Sequence, residues 1–336
     1  LRAAADETEN DRNSALTQLK VIFDTDPGVD DAMALLLLAR HPRITLFAVT
    51  TVFGNASLDQ VVHNALYLKD LYGFSAPVAR GAGRPLAVAP GEPPAFVHGD
   101  NGLGDIPLPA RTVARADMIP AHQLIIKLVR AHPHEITIIA VGRMTNLAQA
   151  LAEDPGIAPL VKQVVIMGGA FGYNGHSGNV TAVAEANIIG DPHAADRVLA
   201  AHWPIAMVGL DVTMETVMSD QYLAELATTG DDGAFVRKIS HGYQDFHRIT
   251  INLDGFPVHD SSAVAYALHP EFFDTISRPV RVVDHGDCIG QTLAKGEGDA
   301  ADSFNWDGRA KIRVCTGVES QAVLNFYRQT LVGRAT

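Results

Sequence analysis

Four aspartates fall within eight residues in the run Asp24-Thr25-Asp26-Pro27-Gly28-Val29-Asp30-Asp31-Ala32. The run follows an apolar segment of strand length, Lys20 to Phe23, and opens a segment of helical length. Acids in a helix's first turn interact favourably with its dipole, and Asp is a common cap, which accounts for one or two of them. Four carboxylates at a strand's carboxyl end repel one another unless a cation sits among them. Carboxylate oxygens are hard ligands that suit Ca²⁺ or Mg²⁺, so the turn reads as a divalent-metal site. A phosphate cradle is the rival for a glycine turn between strand and helix. The Gly-x-Gly-x-x-Gly spacing and the Gly-Lys-Ser/Thr ending are both missing, and the acids would repel a phosphate. NAD binding through this turn is therefore not expected.

The elements that must hold these acids alternate along the chain. Strand-like runs are Lys20–Asp24, Ile44–Val52, Pro77–Ala79, Glu135–Val141, Val161–Met167 and Ile205–Val208, with three short ones in the tail: Val280–Val283, Gly290–Leu293 and Ile312–Cys315. Between them lie helical segments at Val29–Arg40, Leu58–Tyr72, Met118–Ala131, Thr145–Ala152, Asp191–Ala201, Ser219–Arg248 (broken near Gly230) and Ser261–Leu268, with a closing helix after Ser320. Alternating strands and helices indicate βαβ units, and apolar runs indicate strands covered on both faces. The expectation is an α/β fold: a single large domain with a mainly parallel, Rossmann-like central sheet flanked by helices. Ligands in such sheets bind beyond the carboxyl ends of the strands. The irregular stretch Gly81–Asp117 is long enough to suggest a functional or mobile loop.

Composition narrows the function classes. The chain has 336 residues, 47% of them apolar, which excludes a mainly disordered protein. A net charge of −12 argues against a nucleic-acid footprint. No apolar run approaches the roughly 18 residues of a membrane span. Two cysteines, Cys288 and Cys315, make no disulfide framework and point to a reducing, cytoplasmic setting. A first residue other than Met keeps export, with a removed leader, as the alternative. The polar segment 1–17 reads as a flexible arm ahead of a domain at 18–336.

The acidic run resembles the signature of the inosine-uridine preferring nucleoside hydrolase family. The likeness continues, in family order, through Val49 to Asn55, His98 to Gly104, Gly142 to Leu147, Met167-Gly168-Gly169-Ala170, Gly178 to Thr181, Ala184 to Asn187 and Pro257 to Asp260. It spans about residues 20 to 335 and implies the family's fold and Ca²⁺-dependent hydrolysis of the N-glycosidic bond of ribonucleosides. It implies a Ca²⁺ held by Asp26, Asp31, Asp260, the main-chain carbonyl of Val141 and substrate hydroxyls, with a bound water as nucleophile. Asp26 would be the general base and Asp30 would grip the ribose, although spacing alone does not decide which of Asp26, Asp30 and Asp31 takes the proton. Asn179, Glu185 and Asn187 match the ribose-binding trio, Met167 falls on the substrate side, and Asn55 supports the metal loop. His259 matches the leaving-group acid, whose neutral-range titration suits it, and His98 matches a contact to the base. Asp260 could also cap the helix at Ser261, and both roles can hold together. A homodimer or homotetramer is implied as well.

Trp203 and Trp306 lie outside these blocks, which favours a branch using histidines around the base, broad or pyrimidine-leaning. Tyr243, Phe246 and His247 either close over the substrate or form the face of a surface helix. The loop Ala170–Ser177 is longer than the family pattern, and Tyr173 or His176 could touch the ribose 5′ end. Arg143 stands where the family carries Pro, a charge with no explanation in the sequence, and leaves a small opening for phosphorolysis. Hydrolysis of another riboside (nicotinamide or hormone) and a non-catalytic nucleoside- or metal-binding role are the competing readings.

Overall fold

The computed structural model describes residues 18–296, 306 and 308–333, so the expected arm at 1–17 lies outside the described residues. The strands are β1 (Leu19–Thr25), β2 (Ile44–Thr51), β3 (Val78–Arg80), β4 (Ile136–Ala140), β5 (Gln163–Met167), β6 (Ile205–Val208), β7 (Val217–Met218), β8 (Phe256–Pro257), β9 (Phe273–Arg278), β10 (Val280–Val282), β11 (Thr292–Ala294) and β12 (Ile312–Val318). Eight of them form one sheet in the order β3-β2-β1-β4-β5-β6-β12-β9. Neighbours in it are parallel except β12 and β9. Parallel neighbours cannot be joined by a tight turn, so helices carry the chain back across the sheet.

Alternation along each strand feeds two apolar layers. In β1, Val21 and Phe23 join one layer and Ile22 the other. The first layer packs beneath the helices Val29–Arg40, Leu58–Tyr72, Asp260–Leu268 and Ser320–Val332. The second packs beneath Ala121–Ala131, Thr145–Glu153 and Pro192–Ala200. Helix Val29–Arg40 carries Leu35 to Leu38 fully inside the first layer, and Tyr327 Oη donates to its Met33 carbonyl at 3.3 Å. Burial on nearly all sides is what its almost uninterrupted apolar sequence requires.

From β1 the chain adds β2 and β3 on one side and β4, β5 and β6 on the other. The order therefore reverses between β1 and β4, and a crevice opens beyond their carboxyl ends. Asp24-Thr25-Asp26 ends β1 at that crevice, and Val141 follows β4.

Several boundaries differ from the sequence expectation for identifiable reasons. Helix Ala121–Ala131 starts after Pro120, not at Met118, because Pro120 sits at its N-cap in extended conformation. The long helical region after Ser219 is three helices, Asp220–Ala227, Asp231–Ile239 and His241–Ile251. Gly230 separates the first two with φ +137°, a conformation that L side chains rarely adopt. Edge strand β9 has no apolar run to announce it, since only its first residue, Phe273, is buried. The tail strands β10 and β11 pair with each other outside the main sheet. The Asp191 cap is as expected: its side chain accepts from the Ala194 N–H at 3.1 Å, with Pro192 at the first helical position.

Candidate active site

The first loop is organised by its own carboxylates. Asp24 Oδ1 accepts from Thr50 Oγ1 at 2.5 Å and Asn146 Nδ2 at 2.8 Å, tying β1 to β2 and to helix Thr145–Glu153. Asp31 accepts from Thr25 Oγ1 and the Asp26 N–H with one oxygen, and from the Gly28 N–H and Asn55 Nδ2 with the other. It is a cap residue that fixes the whole turn. Asp26 divides its oxygens differently. Oδ2 accepts from the Asn55 N–H at 2.8 Å and pairs with Arg143 Nη1, while the buried Oδ1 has no hydrogen-bond partner. Gly142 gives that oxygen room, since a Cβ there would stand 2.5 Å from it.

Above the loop lies a cleft of about 1050 Å³. Of the twelve residues expected at the site, ten line it: Asp30, Asn55, His98, Val141, Met167, Asn179, Glu185, Asn187, His259 and Asp260. Asp26 and Asp31 are buried beneath its floor. Carboxylate oxygens of Asp30, Asp31 and Asp260 lie within 4.8 Å of one another, a spacing one cation can bridge. Asp30 Oδ1, like Asp26 Oδ1, is buried without a hydrogen-bond partner, with His98 Nδ1 3.8 Å from it. The donor set is all hard oxygen, with Asp30 Oδ1 unsatisfied within it and Asp26 Oδ1 unsatisfied in the same loop, so the residues fit a divalent cation such as Ca²⁺. The converging trio contains Asp30 where the resemblance implied Asp26, which is instead the partner of Arg143.

Burial in this acidic pocket disfavours charge. It raises Asp24 to about 7 against its bonds to Thr50 and Asn146. It raises Asp30 to about 7, with the Asp31 charge adding to the effect. Asp26 is pushed well up by burial and then by Asp31, with the Arg143 charge opposing. Asp260 is pushed well up by burial and then by Asp30 and Asp31. Such a cluster favours a bound positive charge.

The trio matched to the ribose organises the far wall. Glu185 caps the helix Ala186–Gly190, accepting from the N–H groups of Asn187, Ile188 and Gly169. Asn187 Nδ2 donates to the Val141 carbonyl at 2.7 Å and the Met167 carbonyl at 3.1 Å, joining the ends of β4 and β5. Asn179 is exposed, and its Oδ1 accepts from the Ala186 N–H.

Imidazoles occupy the opposite side. The Val29 N–H donates to His98 Nδ1 at 3.2 Å, so the neutral ring carries its proton on Nε2. Burial, with Arg143 adding, lowers His98 to about 3. His259 Nδ1 meets Thr213 Oγ1 at 2.8 Å, and burial, with His247 adding, lowers it to about 3. The expected neutral-range titration of His259 is thus not what its environment gives. A buried imidazole here is neutral at pH 7 and offers one N–H.

Tyr243, Phe246 and His247, on helix His241–Ile251, all line the cleft. Tyr243 stacks on His98 at 5.3 Å, and its hydroxyl donates to Asp30 Oδ2 at 3.4 Å. Phe246 meets Phe96, on the short helix Ala95–His98, at 5.7 Å. No local sequence signal announces that helix or Thr213 under His259. In the longer loop, His176 lines the cleft but is paired with Glu215 at 2.5 Å, and the Tyr173 N–H is held by Asp211. Trp203 is packing, as expected, with its Nε1 donating to the Val198 carbonyl at 3.0 Å.

A mainly parallel α/β sheet with carboxylates, amides and imidazoles converging at its switch point defines a small-molecule enzyme with a candidate metal centre. A family profile described as "Inosine-uridine preferring nucleoside hydrolase" matches residues 21–325. Uridine nucleosidase 1 of Arabidopsis thaliana is 38% identical over 316 residues, covering 93% of both chains. The inosine-uridine preferring nucleoside hydrolase of Crithidia fasciculata is 38% identical over 82% of this chain and 87% of that one. A solved plant nucleoside hydrolase superposes with a TM-score of 0.88 at 34% identity, covering 94% of this chain and 99% of the other. The chain belongs to the inosine-uridine preferring nucleoside hydrolase family and is a glycosidase that hydrolyses ribonucleosides.

Proposed function

We propose that the protein is a Ca²⁺-dependent ribonucleoside hydrolase that releases ribose and free base, with uridine among its better substrates. The observation that carries this is the convergence of Asp26, Asp30, Asp31 and Asp260 with Asn187, His98 and His259 around one cleft. Several similar proteins are named uridine nucleosidases, from Oryza sativa and Arabidopsis thaliana, which supports the pyrimidine side of the preference.

Asp30, Asp31 and Asp260 would hold the ion, with the Val141 carbonyl at the cleft wall beside them. A divalent ion held there supplies a polarised water and an anchor for sugar hydroxyls. Asp26 accepts the proton of the attacking water at Oδ1, the oxygen left without a hydrogen bond. Asp30 and Asn187 orient the ribose as it gains oxocarbenium character. His259 donates its N–H to the departing base, and His98 holds the base's other edge through Nε2. Tyr243 and Phe246 form a wall that excludes water when the cleft is filled. Arg143 is the one Lys or Arg lining the cleft among the described residues, and its Nη1 is paired with Asp26, which argues against a phosphate pocket and so against phosphorolysis.

The test is release of reducing sugar from inosine, uridine, cytidine and adenosine, with and without a Ca²⁺ chelator. Chelator-sensitive release without added phosphate is the expected result, and no release from any of the four would overturn the reading. Two companion expectations are a homodimer or homotetramer, read by sedimentation, and a reducing, cytoplasmic setting, consistent with two unpaired thiols.

A further inference from the structure

Arg143 is a buried cation at the cleft with no task in the reaction proposed above. It is nine-tenths buried, its Nη1 pairs with Asp26 Oδ2, and its Nε has no hydrogen-bond partner. Two glycines make its path. A Cβ on Gly190 would stand 2.5 Å from Arg143 Nε and 2.7 Å from its Cγ, and one on Gly54 would stand 2.1 Å from Nη1. Neither glycine has a positive φ, so what glycine supplies at both positions is space and not backbone freedom. The side chain is threaded through a channel that any other residue at Gly190 would narrow.

The electrostatic setting is as specific as the steric one. Arg143 faces a pocket whose other charged walls include Asp30, Glu185 and Asp260, with Asp26 and Asp31 beneath them. A guanidinium is a fixed, planar cation that stays charged under all ordinary conditions. It and the Asn55 N–H both engage Oδ2 of Asp26, and neither engages Oδ1.

We propose that Arg143 is a positioning residue that fixes Asp26 with Oδ1 free, and that its charge shares the acidic pocket with the divalent ion. Two consequences follow. Losing the guanidinium lets Asp26 rotate, which lowers turnover more than it alters substrate binding. It also removes a cation from the neighbourhood of the metal, which strengthens metal binding. The turnover consequence rests on the catalytic reading of Asp26 given above, whereas the metal consequence does not.

The experiment compares wild type with Arg143→Met, Arg143→Lys and Gly190→Ala. The last pushes on Arg143 without touching Asp26. Calorimetry with CaCl₂ alone reads the metal arm, and nucleoside hydrolysis at saturating Ca²⁺ reads the second arm. A misplaced catalytic group costs on the order of tenfold or more in rate. The expected result is therefore a kcat drop of about tenfold or more in Arg143→Met and Gly190→Ala, with KM within about threefold of wild type, a partial return in Arg143→Lys, and Ca²⁺ bound several-fold more tightly by Arg143→Met. Unchanged or weaker Ca²⁺ binding by a folded Arg143→Met overturns the shared-charge assignment, and kcat within twofold of wild type overturns the positioning role. A wild type that hydrolyses no nucleoside would sink the functional reading instead, and the calorimetric arm would still decide the metal consequence.

Discussion

Asp26 commits one oxygen to Arg143 and the Asn55 N–H and leaves the other free. The choice of test variant follows. Asp26→Ala would strand a buried guanidinium, and breaking a buried pair costs about 3–5 kcal/mol. Asp26→Asn keeps an oxygen for Arg143 and removes only the capacity to take a proton. It should lose about 10²- to 10⁴-fold in kcat, the usual range for general-base catalysis, with an unchanged circular dichroism spectrum; near-normal turnover would show that another group is the base. His259→Ala should slow release of uracil or hypoxanthine far more than release of p-nitrophenol from its riboside, because only the poor leaving groups need the N–H. Equal slowing of both would place His259 outside leaving-group chemistry. The acids of the first loop were readable in the sequence because four of them crowd into eight residues, whereas Asp260 stood out only through the family resemblance. The part played by Arg143 was not, because its partner lies 117 residues away and the pair forms only once β1 and β4 are adjacent.

Elements were legible where a local signal marks them. The Asp191–Pro192 start, the Gly73 end of helix Leu58–Tyr72 and the Gly230 break each rest on one residue's backbone preference. Strand β9 and the short helix Ala95–His98 depend on tertiary neighbours and leave no such mark. One helix end carries a measurable pH signal. His41 closes helix Val29–Arg40, its Nδ1 accepts from the Arg43 N–H at 3.2 Å, and its ring lies 5.3 Å from Phe326. Burial, aided by the charges of Arg43 and His269, lowers it from 6.5 to about 4. The unfolded chain therefore binds more protons between those values, and the stability His41 contributes is whole above pH 6.5 and lost as pH falls towards 4. His41→Gln should flatten the thermal midpoint's decline across that window relative to wild type. Parallel curves for the two proteins would refute the assignment.

The acids that converge come from distant parts of the chain: Asp30 and Asp31 from helix Val29–Arg40, Asp260 from helix Asp260–Leu268. A cation among them links these segments and binds only the folded state. Ca²⁺ at a hundred times its dissociation constant should add about 2.7 kcal/mol of stability, seen as a chelator-reversible rise in thermal midpoint. The acidic triad would be the wrong site if the triple variant Asp30→Asn, Asp31→Asn, Asp260→Asn kept that rise. The strand order has a consequence of another kind, for synthesis. β12 is the last strand made among the described residues, yet it lies inside the sheet, between β6 and β9. As the chain leaves the ribosome, β6 presents an open edge and β9 has no place to dock until residues 312–318 emerge. Unpaired edges are where growing chains stick to one another. A message truncated shortly before that strand would therefore yield a protein with every proposed catalytic residue and an exposed seam, one that a cell would find aggregated before it found it inactive.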